Sequence, residues 1–440
     1  MNIKNIIISS PAYIVPALIN FAALIVFTRS LSLEAYGMLS LTLVTIEFLQ
    51  VLLYQWIKQA MLRFYDDEKY SVSIALRLCG YITMALLVLT LVAVLGNKFL
   101  HWGTFSWFLV VMVGCFSRGM ANVVLDYVRI SRPGLRAYTT LSVLVNFCYY
   151  VPAIVWVLFK KNTEVDSVLY IQVFSLLVLL AIISVVFNKT IVILVNTKPD
   201  QLFFKKFLLF AFPLIPVIVA SNLFVRVDRY IIEVNAGLTQ LGAYSAAYSL
   251  SSMVIASFFN ILTLPTYPNI IRHLNQENIT LARKIFKKNG DYIMLVAIPL
   301  LVLVFLYNNF ICTLLFKDKA LVVAKVFPVV VIATFLHNCK IHYFDQVFQF
   351  LKKTKQYMVQ CVVIGVVHLL VAFEWSKYKG CAGVAYSTMI LNVCAMFYVY
   401  FFSFHSFKIE LSRKAFFIAT FCCMAIVAVY CFTYTYYGYK

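Results

Sequence analysis

Apolar runs long enough to cross a bilayer recur from one end of this 440-residue chain to the other. A helix needs about 20 apolar residues to span roughly 30 Å of hydrocarbon. Inside that layer no water satisfies an open backbone, so such runs can fold only as a bundle of membrane-spanning helices. Thirteen spans are predicted, near residues 7–29, 38–60, 77–97, 103–125, 138–159, 167–188, 207–231, 241–263, 291–315, 325–349, 357–376, 382–403 and 415–437. The chain is 63% hydrophobic and 12% charged, with a mean hydropathy of +0.90, which no water-soluble domain requires. Connections are short, so almost nothing is expected to fold outside the bilayer. The first run has no small-residue cleavage site before Thr28 and Arg29, and it reads as a retained helix.

A net charge of +20 could indicate nucleic acid, but no segment is left to form a soluble domain that could dock a duplex. Basic loops facing anionic lipid account for it instead. One alternating set of loops holds 22 Lys and Arg residues and the other holds 11. This bias places the N-terminus in the cytoplasm, and an odd span count would place the C-terminus outside. Most of the eleven cysteines lie in apolar runs at spacings that match no zinc pattern, so they read as small membrane hydrophobes.

The chain carries one pattern twice. Pro11, Pro16, Asn20 and Arg29 precede Ala35-Tyr36-Gly37; Pro213, Pro216, Asn222 and Arg229 precede Gly242-Ala243-Tyr244. Both copies run from inside to outside in the predicted topology, as equivalent first helices of two lobes. Prolines at matching places suggest broken helices facing a shared cavity. The expected organisation is a six-helix lobe over 1–188, a cytoplasmic linker over 189–206, a second six-helix lobe over 207–403, and a cytoplasmic segment with an extra helix over 404–440. A short basic interfacial helix is expected within 264–290.

Charge inside a span is costly and therefore informative. Glu47, Gln50, Tyr54 and Lys58 share one face of the second span at 100° per residue. They would line a water-filled lumen, with Glu47 as a proton or cation site, or form a helix contact with Lys58 snorkelling to the surface. Asn222, Arg226 and Arg229 share a face of the seventh span, with Asp228 about 120° from Asn222. Arg226 would either snorkel or meet an anionic substrate. Asn338, His342, Asp345 and Gln349 share a face of the tenth span, near His337 and Lys340, and a His/Asp pair there could carry protons. Arg118, Asn122 and Asp126 follow at intervals of four in the fourth span, as an intrahelical ion pair or a phosphate-attracting mouth. His368, Gln172 and Asn392 stand alone and read as helix-packing residues.

The segment from Arg29 through Ser30, Leu31, Ser32, Leu33, Glu34 and Ala35 to Tyr36 and Gly37 resembles the first-loop signature of polysaccharide-transport flippases. Asp228-Arg229 and the run Leu241-Gly242-Ala243-Tyr244-Ser245-Ala246-Ala247 resemble its counterpart in the second half. The family belongs to the multidrug/oligosaccharidyl-lipid/polysaccharide superfamily and includes O-antigen flippases. The likeness covers roughly residues 1–403. It departs at Ser32, where glycine is frequent, and in the thirteenth span.

The resemblance implies an all-α polytopic membrane protein with two pseudo-symmetric six-helix lobes around a central cavity, plus an extra C-terminal helix. The implied substrate is an undecaprenyl-diphosphate-linked oligosaccharide, moved from the inner to the outer leaflet of the bacterial inner membrane by alternating access. On that reading Arg29, Lys58, Arg118, Arg226 and Lys340 attract the diphosphate, and Asn20, Asn222, Gln50 and Tyr54 line the cavity. Glu47, Asp228, Asp345 or His342 would couple transport to a proton or sodium ion. No cofactor, metal, catalytic residue or nucleic acid is expected. Anionic lipids and other polysaccharide-assembly proteins are the expected partners. A cation-coupled multidrug exporter of the same superfamily is the alternative. A membrane polysaccharide polymerase or O-acyltransferase is weaker, since the outer loops are short and only His337 and His342 cluster.

Overall fold

A computed structural model describes residues 11–64, 68–100, 105–131, 135–160, 164–197, 200–351, 353–403, 407 and 412–437. Among the counted basic residues, Lys4, Arg132, Lys161, Lys198, Lys352, Lys408 and Lys440 lie outside that set. The described residues are almost entirely helical and include no strand. Eight helices among them are long and apolar enough to cross a membrane. The chain divides into two compact units, Met1–Arg226 and Val227–Lys440.

The first unit contains α1 (Pro11–Ser30), α2 (Leu33–Arg63), α3 (Glu68–Leu100), α4 (Phe105–Ser131), α5 (Leu135–Phe159), α6 (Val165–Val186), α7 (Asn188–Asn196) and α8 (Gln201–Ala211). α1 packs on α5, α2 on α4, and α6 on α4 and α5. Association inside a bilayer relies on close backbone approach at small residues, because lipid is as apolar as the helices. Gly114 and Gly119 on α4 serve this purpose: the Ile46 and Tyr54 side chains of α2 lie where a Cβ would project. Tyr54, Ile57 and Met61 join Val72, Ala75, Cys79, Cys115 and Val123 in one core. Ser32, the departure from the expected glycine, caps α2 by accepting a 3.1 Å hydrogen bond from the Ala35 amide.

The 189–206 segment is largely helical. It forms α7 and most of α8, and Phe207 and Ala211 of α8 are buried against Ala60 and Ile74. Phe64 packs against Phe203, Phe207 and Phe210.

The helix α9 (Leu214–Asn275) carries the chain into the second unit. It is followed by α10 (Ile279–Leu306), α11 (Asn308–Phe316), α12 (Ala320–Cys339), a π-helical turn (Lys340–Phe344), α13 (Gln346–Phe350), α14 (Thr354–Ser403) and α15 (Arg413–Tyr437). α9 breaks at Gly237 (φ 82°) and α14 at Gly380 (φ 56°), left-handed conformations that favour glycine. Residues beside the two breaks are joined. Asn235 donates to Ser376 at 2.6 Å, and the Gln240 side chain accepts from the Cys381 amide at 3.0 Å. The predicted thirteenth span falls on the helix α15, which packs on α10.

Several expectations are corrected. The two copies differ in what their prolines do: Pro11 opens α1, which runs on unbroken through Pro16, whereas Pro213 sits in the turn that separates α8 from α9. Proline is tolerated at a helix start because the first amides lack intrahelical partners anyway. The predicted seventh span is interrupted by that same turn, and the ninth by a break at Tyr307. No separate interfacial helix occupies 264–290. Its residues extend α9 and α10, which meet in a tight turn at Glu277 (φ 59°) capped by Asn278.

Candidate functional site

In the first unit, one arginine pairs with a carboxylate and a second lies within its electrostatic reach. Arg226 Nη1 of α9 donates to Glu47 Oε2 of α2 at 2.6 Å. The Arg226 side chain is 20% exposed and that of Glu47 45%. Arg118 of α4 lies 3.6 Å above the centre of the Tyr149 ring and donates to the Tyr150 hydroxyl at 3.3 Å, both on α5. Arg118, Tyr149 and Tyr150 are also within Coulombic range of Glu47. The cluster thus combines two guanidinium groups, a carboxylate and two phenols. Such a set suits an anion presented with aromatic surface.

The other members of the α2 stripe go elsewhere. Gln50 is buried, and Tyr54 is wholly buried against Gly119 in the core. Lys58 pairs with Asp126 at 3.1 Å. The expectation that all four line one water-filled face is therefore corrected. They share a helix face, but α4 covers its Tyr54 end and leaves Glu47 partly open. The expected Arg118–Asp126 ion pair is also replaced, because each residue takes a partner on a neighbouring helix. Among the remaining first-unit assignments, Arg29 is exposed at the end of α1. Asn20 is half-buried, its Oδ1 without a partner among the described residues, and Asn222 donates to the Ile218 carbonyl at 2.9 Å.

The second unit holds a buried polar network. Asp228 Oδ1 lies 2.6 Å from His368 Nε2, and Asp228 Oδ2 accepts from the Tyr244 hydroxyl at 3.1 Å. His368 Nδ1 lies 3.0 Å from the Ser387 hydroxyl. Asp228 and His368 are 5% and 6% exposed. Nε2, facing a carboxylate, carries the proton in this arrangement. Nδ1 then accepts from Ser387 when the ring is neutral and donates when it is charged. His337 lies beside Asn392, whose amide donates to the Thr388 carbonyl at 2.7 Å, and within Coulombic range of Asp228, His368 and Lys340. Arg229 packs on the Tyr248 ring at 4.7 Å. The reading of His368 and Asn392 as isolated packing residues is corrected. His368 lies 140 residues from Asp228 in sequence, so no local spacing signals the pair. The one trace in sequence is that Asp228 and Tyr244 belong to the two halves of the motif described above.

The π-helical turn reorganises the tenth span. Its bond runs from the Asp345 amide to the Lys340 carbonyl at 2.8 Å, five residues apart. On a regular α-helix these side chains would diverge by about 140°. The turn brings them together as a 2.7 Å ion pair with side chains 9% and 2% exposed. His342 instead stacks on Phe259, and Gln349 accepts from Tyr267. The expected single face of Asn338, His342, Asp345 and Gln349 is thereby split.

Residues 3–274 match the model of a family described as polysaccharide biosynthesis protein. No curated protein sequence matches the chain. The lipid II flippase MurJ, in an inward closed conformation, superposes with a TM-score of 0.71 at 12% identity, over 96% of this chain and 92% of that one. An inward-facing multidrug resistance MATE family transporter of the MOP superfamily gives 0.61 at 14% identity, over 89% and 97%. A MOP superfamily transporter from Pyrococcus furiosus gives 0.54 at 14% identity, over 91% and 94%. At such identities the likeness is one of fold: the two-lobed helical transporter architecture.

Proposed function

Because the chain belongs to the polysaccharide biosynthesis protein family, we propose that it is a flippase for a lipid-linked oligosaccharide. The substrate is an undecaprenyl-diphosphate-linked repeat unit of O-antigen or another surface polysaccharide. It moves from the inner to the outer leaflet of the bacterial inner membrane by alternating access, with the N-terminus cytoplasmic. The observation that carries this reading is the pair of arginines, Arg118 and Arg226, around Glu47 within a membrane bundle of this family. A diphosphate cannot enter hydrocarbon unaided, and guanidinium groups bind phosphate oxygens through forked, charge-assisted hydrogen bonds. Tyr150, half-buried beside Arg118, adds surface suited to sugar, with Tyr149 buried under the guanidinium, while the polyprenyl tail stays in lipid.

Coupling falls to Asp228 and His368 in this proposal. An imidazole held by a carboxylate and a hydroxyl can take up and release a proton without leaving its place. The alternative, a cation-coupled multidrug exporter, rests on the fold likeness to MATE transporters. Its cationic cargo calls for unengaged acids. Glu47, Asp126, Asp228 and Asp345 are each bound to a basic residue, which favours the flippase.

The test is complementation of a flippase-null strain, read as surface polysaccharide. The wild-type chain is expected to restore it, and Arg226→Glu is expected to abolish it at unchanged membrane level. Normal complementation by Arg226→Glu would remove span seven from contact with phosphate.

A further inference from the structure

Arg226 already holds an anion, and that anion is poorly anchored. Three intramembrane ion pairs can be compared. In Lys58–Asp126 the side chains are 14% and 15% exposed, and in Lys340–Asp345 they are 9% and 2%. Both partners of those pairs are enclosed. In Arg226–Glu47 the cation is 20% exposed and the carboxylate 45%. Glu47 can therefore turn toward water at small cost. Arg226 is the more enclosed partner, and a guanidinium largely withdrawn from water favours an anion beside it.

The geometry of the pair is also incomplete. A single carboxylate oxygen takes the Nη1 hydrogen, and Arg226 Nε is buried without a partner among the described residues. A buried donor left unpaired is costly, and the fork of a guanidinium is shaped for two parallel bonds. A phosphate group has oxygens enough to bridge Nε and Nη together. Charge points the same way. Arg118 and Arg226 both act on Glu47, so one negative charge stands against two positive ones. A diphosphate diester carries two.

We propose that Glu47 is a built-in competitor for the phosphate-bearing ligand. It occupies Arg226 while the site is empty and is displaced when a diphosphate enters. The proposal rests on the flippase reading above and adds to it a mechanism for release. When the site reopens, Glu47 returns to Arg226 and expels the diphosphate. A site of two uncompensated arginines would instead retain its cargo. Glu47 thus acts in substrate release, a role distinct from carrying a coupling ion.

The test uses the full chain in nanodiscs of zwitterionic lipid, with farnesyl diphosphate as probe and farnesol as uncharged control. Glu47→Gln is expected to bind farnesyl diphosphate about tenfold more tightly, with farnesol unchanged; tenfold corresponds to about 1.4 kcal/mol. Arg226→Gln is expected to bind it about tenfold more weakly. The double variant should match Arg226→Gln alone, because a competitor has no effect once its cation is gone. Glu47→Asp, which keeps the charge on a shorter arm, should fall between wild type and Glu47→Gln, and it serves if the latter does not fold. Unchanged or weaker binding by Glu47→Gln, with Arg226→Gln still weakened, overturns the competitor and leaves the flippase reading standing. Equal binding of farnesyl diphosphate and farnesol by the wild type removes the phosphate site and the competitor together.

Discussion

The Lys340–Asp345 pair offers the most exacting check on the energetics of this bundle. Its side chains are 9% and 2% exposed, and they meet at 2.7 Å across the π-helical turn. Asp345→Asn preserves shape and removes the anion, leaving an ammonium enclosed without a counter-charge. Breaking one side of such a pair costs about 3–5 kcal/mol, whereas replacing both sides with apolar groups is often neutral or stabilising. Interhelical polar contacts in bilayers tend to measure smaller than in water, because the unfolded state in lipid also finds partners. The lower figure, about 3 kcal/mol, is therefore expected for Asp345→Asn. The Lys340→Met/Asp345→Leu double variant should recover most of that loss. The backbone bond from Asp345 to Lys340 persists in both, so the turn itself should survive. Equilibrium unfolding in mixed detergent micelles, followed by circular dichroism, supplies the free energies of the wild type, Asp345→Asn and the double variant. If Asp345→Asn costs under about 1 kcal/mol, the enclosure described for this pair is refuted. A double variant at least as damaged as Asp345→Asn refutes it equally.

Two other outcomes follow from particular contacts. Gly119→Val places a branched side chain against the Tyr54 ring, and overpacking of this kind costs about 1–3 kcal/mol; thermal melting at or above the wild-type midpoint would contradict the α2–α4 packing. His368→Gln keeps hydrogen-bonding capacity beside Asp228 but cannot take up a proton, so transport into inverted vesicles should lose its variation over about pH 5–8. A profile that keeps the wild-type shape would remove His368 from coupling.

Periodicity and span length made the bundle legible in advance. Each of the thirteen predicted spans falls largely on helix, since a run of apolar residues in hydrocarbon has no other way to satisfy its backbone. Breaks were less legible. Proline marked one break, the turn at Pro213, but Pro11 and Pro16 sit near a helix start, where the missing amide is harmless. Gly237 and Gly380, which do break helices, look like ordinary small residues in a membrane sequence. The basic stretch around 264–290 read as a separate amphipathic helix because charge patterning cannot distinguish it from two long helices extending past the bilayer.

Polar residues divide along the same line. Sequence alone determined that Glu47, Arg118, Arg226, Asp228, Lys340 and Asp345 lie within membrane segments, where each must find a partner, because a charge in hydrocarbon cannot be left to solvent. Helical spacing also determined which residues share a face. Which partner each one takes was decided only by tertiary structure. Lys58 left its own helix for Asp126, Arg118 turned to Tyr149, and His368 reached Asp228 across 140 residues. One π-helical turn joined Lys340 to Asp345 and separated His342 from it. The physical reason is that pairing depends on which helices pack together and how closely. Gly119 and the inserted turn set those distances, and periodicity along one strand of sequence does not record them.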